Sequence, residues 1–456
     1  MSDSQRSGNP PRREDRQQPG PHKPEQRTEF ERDRDRVLYS DAHRRLAGVT
    51  QVASAAEGHL FHNRLTHTLK VAQIARRVAE KLCRDQPREA EAWGGLNADV
   101  VEAAAHIHDL GHPPFGHVAE EELDEIARAH GAPDGFEGNA QSFRIVTRLA
   151  AHRDPDRTDG YVGLNLTRAT LNAALKYPRV RDVKHPGSKD YRKFGAYDSD
   201  REALSFARAL GPKGDRQSLE AAVMDYADDV AYSVHDLEDF FRAGLIPVSV
   251  LAHGGDALDE FLGRWAADPL TSVSEAEARD NREALLSMLR DLFPFDGQYD
   301  DTFVHRAALR TASSNLIQRF VWAAEIGAPG APDRIECPRS LRLQLKFLQR
   351  LVWTHVIDNP RLATQQRGQR RIIRTLFETY LTAVKAHDYA LVPALFHREL
   401  ASLGDARPEK DRTQNTPEET RLAVDIVASF SDDQAVLLYR RIIGVATGSI
   451  TDYLSA

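Results

Sequence analysis

The chain reads as a mostly α-helical protein, and three observations say so. Apolar residues recur with the helical period in long windows, as in Leu65 to Val78 and at Leu341, Leu345, Leu348 and Val352. Cap signals bracket the helical run after residue 217, with Ser218 before it and Gly244 beyond it. Alternating stretches of the kind that make strands are sparse, and no convincing internal repeat is visible.

Taken in order, residues 1–36 are Arg, Asp, Gln, Pro, Ser and Gly with almost no apolar content, so a disordered polar tail is expected and order should start near Val37-Leu38-Tyr39. Residues 37–245 form the first helical unit. Its early amphipathic helix carries Leu65, Leu69, Val71, Ala72, Ala75 and Val78; His67 sits near the start, with Arg64 one turn before it on the same face. The stretch from Ala105 to His117 reads as a helix end and then a rigid turn, because Gly111, Pro113, Pro114 and Gly116 force a tight non-helical path. Residues 181–217 are polar and punctuated by glycine, and read as a long loop crossing the mouth of a site. The helix after Ser218 holds Val223, Ala227, Val230, Ala231, Val234 and Leu237, so much of it must be buried, while Asp228, Tyr232 and Asp236 fall four apart on one stripe. Residues 246–456 read as a C-terminal helical region for packing and oligomerisation.

Composition narrows the function classes. A 456-residue chain can bury a full core, and none of its apolar runs is long enough to span a bilayer. The N-terminus lacks the apolar segment of a secretory leader, and two cysteines, Cys83 and Cys337, provide no disulfide framework; a cytoplasmic location is expected. A formal net charge of -7 argues against nonspecific nucleic-acid binding by the whole surface, yet leaves room for a local basic groove.

The chemistry concentrates at His108-Asp109. An adjacent imidazole and carboxylate suit Mn, Fe, Zn or Mg better than a closed thiolate site would. His112, His117 and Glu120 follow at once. A carboxylate on a buried helix, such as Asp228 or Asp229, needs a cation or a donor nearby.

Taken together, these segments resemble the HD-domain deoxynucleoside triphosphate triphosphohydrolases, the bacterial dGTPase group. The matching blocks include Thr50-Gln51-Val52, Asn63-Arg64-Leu65-Thr66-His67, His108 through His117, Phe136-Glu137-Gly138-Asn139-Ala140-Gln141, Lys176-Tyr177-Pro178, Lys193-Phe194-Gly195 and Ala227-Asp228-Asp229-Val230-Ala231-Tyr232. The C-terminal half matches more loosely, through Asn359-Pro360 and Leu376-Phe377-Glu378-Thr379-Tyr380, and Val49 departs from the lysine many relatives carry before Thr-Gln. The resemblance implies an HD-type helical fold that hydrolyses dNTPs to deoxynucleoside and inorganic triphosphate. It implies a divalent metal (Mn, Mg or Fe) on His67, His108, Asp109 and Asp228, with Asp229 as the alternate fourth ligand. His117 and Glu120 are the implied catalytic dyad, with Glu137 as an adjunct. Arg64 and His112, and less directly Lys193, would hold phosphate oxygens; Tyr232 would stack on the sugar, and Gln51 with Asp236 would read its hydroxyl. Family members are commonly homo-oligomers, often hexamers.

Other readings stay open. An HD-type nucleotidase or phosphodiesterase shares the metal set without needing Gln51, Asn139, Gln141 and Tyr232. A nonenzymatic nucleotide sensor or nucleic-acid-binding oligomer would be easier to accept if a ligand or His117 were missing. Arg367, Arg370, Arg371 and Arg374 read first as a solvated helix face, and more sharply as an effector site for a nucleotide or single-stranded nucleic acid. His43, His59, His62, His106, His130 and His152 read as surface or supporting groups.

Overall fold

A computed structural model describes residues 10–18, 25–51, 62–151, 163–268, 271, 273–293, 299–328, 331, 333–357, 360–404 and 413–446. Val52, His59, His152, Asn359 and tail residues 1–9 and 19–24 lie outside them. The protein is mostly α-helical. Helices α1 (Glu29–Leu38) and α2 (Asp41–Arg45) lead into α3 (Arg64–Asp85), α4 (Pro87–Ala92) and α5 (Ala98–Ile107). A tight turn joins α5 to α6 (His117–Ala129), and α7 (Gly138–Arg144), α8 (Arg168–Ala173), α9 (Lys189–Arg192), α10 (Arg201–Arg208), α11 (Leu219–Ala231) and α12 (Leu237–Arg242) follow. The C-terminal half adds α13 (Val248–Ala252), α14 (Asp256–Ala267), α15 (Glu275–Asp280), α16 (Arg282–Leu292), α17 (Phe303–Ala323), α18 (Arg339–Val352), α19 (Pro360–Ala386), α20 (His397–Ser402), α21 (Pro417–Ala428) and α22 (Asp432–Ile442). Among the described residues the one sheet pairs β1 (Glu325–Ile326) antiparallel with β2 (Ile335–Glu336), Glu325 opposite Glu336.

Two cores hold the site between them. In the first, Val71, Ile74, Val78 and Leu82 of α3 meet Val100, Val101 and Ala104 of α5 and Val223, Ala227 and Val230 of α11. Each of these valine, leucine and isoleucine side chains, fully buried, contributes roughly 1.5–3 kcal/mol, so these helices form a stiff frame. The same core continues into α12–α18 through Phe240, Phe261, Trp265, Phe320 and Phe347. In the second, Ala119, Leu123 and Ile126 of α6 pack on Leu376, Phe377 and Tyr380 of α19 and on Leu422, Val424 and Val427 of α21. Leu69 turns outward from α3, where the buried face runs instead through Thr68, Val71, Ala72 and Ala75.

Three sequence expectations are corrected. Order begins before Val37: Thr28 opens α1 with a capping box to Glu31, and Asp33 is fully buried. Asp33 accepts hydrogen bonds from Thr167 N (2.8 Å), Thr167 Oγ1 (2.6 Å) and Arg16 Nη1 (2.6 Å). Hydrogen bonds to charged groups contribute roughly 1.5–3 kcal/mol each, and they anchor a segment that has little apolar area to bury. Residues 181–217 are not one loop, since α9 and α10 lie within them and Ala207 is buried. Finally, Tyr232–Asp236 is a π-helical turn between α11 and α12, so Asp228, Tyr232 and Asp236 do not share one straight α-helical stripe. Such turns recur where a helix must present side chains at a site.

Candidate metal centre

The cluster is assembled from helix ends. Asn63 caps α3 by accepting from Thr66 N (2.9 Å), which places Arg64 and His67 in the first turn, both almost wholly buried. α5 stops at Ile107, and His108 follows as its C-cap. His108 Nδ1 lies 2.6 Å from Ala105 O and donates there, which leaves Nε2 as the free lone pair. That nitrogen is buried with no hydrogen-bond partner among the described residues.

Around it lie the other donors. His67 Nε2 is 3.2 Å from Asp228 Oδ1, and His108 Nε2 is 3.6 Å from the same oxygen and 3.5 Å from Asp109 Oδ2. Donor atoms of His67, His108 and Asp109 all lie within 4.8 Å of one another. Two ligands about 2.1 Å from one ion at right angles sit about 3 Å apart. The spacing and the orphaned nitrogen therefore fit a divalent cation with mixed nitrogen and oxygen ligands. Asp229 faces away, toward Gln349 Nε2 at 3.4 Å.

Charge in the cluster is balanced by neighbours. Burial pushes the Asp109 carboxyl up, but Arg64 (Nη1 to Oδ2, 2.9 Å), His108 and His112 (Nδ1 to Oδ1, 3.0 Å) outweigh it and hold the group well below the carboxylate range. Asp228 behaves alike: burial opposes, and Lys176, His108 and His67 prevail. Burial, then the Arg64 charge, takes His112 down to about 4, so its imidazole is neutral. Lys176 Nζ bridges Asp225 Oδ1 (2.7 Å) and Asp228 Oδ2 (3.1 Å). Lys176 received no role from the sequence; its place in the Lys176-Tyr177-Pro178 block was the signal that could have found it. A cavity of about 700 Å³ opens beside it, lined also by Tyr177, Arg179, Tyr226, Asp229 and Arg334.

The turn after α5 sets the second group. Phe115 and Gly116 both have left-handed backbone, φ 66° and 60°, and α6 starts immediately at His117. A bulky residue held there costs on the order of 1–3 kcal/mol, so the surroundings must impose it. His117 Nδ1 lies 2.8 Å from Glu120 Oε2, and Gly138 N donates to Glu120 Oε1 at 2.9 Å. Burial raises the Glu120 carboxyl, but His117 and Lys193 outweigh it, and it stays ionised. The His117 side chain is 69% exposed, and its ring lies 5.5 Å from that of His112. Glu137 is occupied otherwise: it caps α7 through Asn139 N (2.6 Å) and Ala140 N (3.2 Å) and accepts from Lys193 Nζ (3.0 Å).

Of the expected substrate-side residues, Arg64 and His112 face Asp109 as given above. Gln51 Oε1 and Asp236 Oδ2 are buried without a hydrogen-bond partner among the described residues. Burial, then Asp239 and Asp228, pushes the Asp236 carboxyl well up, and Tyr232 is half-buried beside Asp236 and Asp228. Other histidines serve structure: His43 Nε2 and His106 Nδ1 hydrogen-bond at 3.2 Å, His62 pairs with Asp239, and the His130 ring lies against Phe377. Half of the arginine run is absorbed within the chain, Arg370 by Glu121 and Arg374 Nε by Glu122 Oε1 at 2.7 Å.

Residues 64–233 match the HD domain family, and residues 335–441 match the phosphohydrolase-associated domain family. A deoxyguanosinetriphosphate triphosphohydrolase-like protein of Streptomyces coelicolor is 38% identical over 443 residues, covering 93% of this chain and 95% of that protein. Like-named proteins of Corynebacterium efficiens (39% over 382 residues, 78% and 80% coverage) and Caulobacter vibrioides (34% over 423 residues, 91% and 90%) are similar as well. Among the described residues no helix is long and apolar enough to cross a membrane. The chain belongs to the HD-domain family of metal-dependent phosphohydrolases, among its deoxyguanosinetriphosphate triphosphohydrolase-like members.

Proposed function

We propose that this protein hydrolyses deoxynucleoside triphosphates to the deoxynucleoside and inorganic triphosphate. One observation carries the reading: His112 joins two clusters, lying 3.0 Å from Asp109 on one side and ring to ring with His117 on the other. A cation set and a proton-transfer pair thus flank one point. The relatives' names support the substrate class.

His67, His108, Asp109 and Asp228 would hold a divalent cation, Mn, Mg or Fe, which supplies Lewis-acid polarisation of a phosphoryl oxygen and a more acidic water. The chain does the rest. Water oxygen joins the α-phosphorus, the bond to the 5′-oxygen breaks, and His117 delivers the proton that the departing oxygen needs. Glu120, anchored by Gly138 N, stabilises the imidazolium before it gives up that proton, and the proton shed by the attacking water restores the ring. Arg64, Lys176 and Lys193 supply positive charge for the triphosphate, and His112 a neutral imidazole donor. Tyr232 packs on the deoxyribose, and the unpartnered Gln51 Oε1 and Asp236 Oδ2 take its hydroxyl.

Chromatography of digests across dNTPs and NTPs with Mn or Mg tests this. The expected products are deoxynucleoside and triphosphate, with label from ¹⁸O water entering the triphosphate. Primary release of orthophosphate, or of pyrophosphate and dNMP, overturns the reading. We also propose a homo-oligomer, of which a hexamer is the leading form. Phe303 (86% exposed), Val304 (70%) and Trp322 (60%) on α17 present apolar surface a partner copy would cover. Light scattering that gives a monomer at micromolar concentration with metal and nucleotide counts against it.

A further inference from the structure

We propose that Asp432, the first residue of α22, is a positioning residue for the catalytic turn and for the segment that carries Thr50 and Gln51. The inference rests on the roles proposed above for His117 and Gln51. Asp432 belongs to the region that matches the phosphohydrolase-associated domain, more than three hundred residues along the chain from the turn it holds.

The Asp432 carboxylate is buried, 7% exposed, and among the described residues it forms no ion pair. Its oxygens are spent on two backbone segments. Phe115 N donates to Oδ1 at 2.8 Å. Thr50 N donates to Oδ2 at 3.2 Å, and Thr50 Oγ1 donates to the same oxygen. α22 does not need this carboxylate as a cap, because Ser431 accepts from Gln434 N (3.3 Å) and Gln434 Oε1 accepts from Ser431 N (2.8 Å).

What Asp432 holds is strained and consequential. Phe115 sits in the left-handed region with its ring in the second core, and its amide is fixed by Asp432. Gly116 and His117 follow directly, and the His117 ring is too exposed to be placed by packing. Arg45 grips the same turn from behind, donating to Phe430 O (3.0 Å), Leu110 O (2.7 Å) and His112 O (2.8 Å). The segments lie flush: a Cβ on Gly48 would come within 2.9 Å of Ser431 Cβ, and one on Gly116 within 3.5 Å of Thr50 O. One carboxylate therefore sets the position of the proton donor relative to the sugar-side segment.

The test compares Asp432→Ala, Asp432→Asn, Thr50→Ala and Ser431→Ala in the full chain loaded with Mn. Readouts are kcat, KM, bound metal and melting temperature, using whichever nucleotide the wild type turns over fastest, so a different substrate preference overturns the dNTP reading and leaves this test intact. Asp432→Ala should lower kcat about 10–100-fold and raise KM with metal content unchanged, in line with the cost of roughly ångström misplacements. Asp432→Asn keeps an acceptor for Phe115 N but turns an amide toward Thr50 N, so kcat should recover while KM stays raised. Thr50→Ala should raise KM alone. Ser431→Ala should lower the melting temperature and leave kcat in place. The proposal is overturned if Asp432→Ala keeps kcat and KM within twofold of wild type, or if Ser431→Ala loses kcat as severely. Should Asp432→Ala fail to fold, wild-type kcat and KM in Asp432→Asn overturn it equally.

Discussion

Replacing Glu120 by Gln isolates the electrostatic part of the proton-transfer pair. The shape is kept: Gln offers an oxygen to Gly138 N, which now donates to Glu120 Oε1 at 2.9 Å, so α6 and α7 should stay in register. What disappears is a negative charge whose Oε2 lies 2.8 Å from His117 Nδ1. Unit charges about 4 Å apart interact by roughly 1 kcal/mol in bulk water and roughly 4 kcal/mol at a protein surface. Because the His117 side chain is 69% exposed and that of Glu120 11%, the value lies between these limits, about 2 kcal/mol. At 1.36 kcal/mol per tenfold in rate, this corresponds to a loss of about 10–30-fold. The sign follows from the role. The lost charge lies against the ring that passes the proton to the leaving oxygen, so its removal slows that step. The variant should be about 10–30-fold slower than wild type in kcat, against roughly 100-fold or more for His117→Ala. The assay is a pH–rate profile of product release, with melting temperature as the control for folding. A Glu120→Gln profile superimposable on wild type refutes the pairing of these residues in proton transfer.

Other outcomes are checkable without kinetics. His108→Ala and Asp109→Ala should lose bound metal by elemental analysis while retaining helical circular dichroism; full occupancy in both rejects the ligand set. Asp228→Asn should lose metal and Asp229→Asn should keep it, since Asp229 points toward Gln349. Asp33→Ala strips buried hydrogen bonds from Thr167 and Arg16, so urea unfolding should show a loss of about 1–3 kcal/mol; an unchanged midpoint would mean α1 is not anchored there. Arg144→Met leaves buried Asp425 and Asp200, now 2.9 Å from its guanidinium nitrogens, without their cation, and should cost about 3–5 kcal/mol. The double variant Arg144→Met with Asp425→Leu should recover part of that loss, and strictly additive effects would show that the pair is not coupled.

Whatever depends on short range was legible in the order of residues. His108 and Asp109 are covalent neighbours, and the glycine and proline punctuation after them leaves few paths for the turn, so a cluster of imidazoles at a helix end was legible. The helical period placed His67 and Arg64 together, and the cap at Ser218 follows from residue type. Tertiary structure decided the rest. Which of Asp228 and Asp229 faces the histidines depends on how α11 rotates against α3, and adjacent acids look alike in sequence. The π-turn at Tyr232 changes a spacing that a straight helix would keep. Asp33 shows why apolar counting failed for the tail: a buried carboxylate with three donors replaces hydrophobic area, and those donors come from Arg16 and Thr167, far apart in the chain. Lys176 and Asp432 act across dozens to hundreds of residues, through atoms that only the packed chain brings within 3 Å or so of their partners. Local sequence sets conformations of a few residues, whereas charge balance and orientation at a buried site are sums over neighbours that only the fold selects.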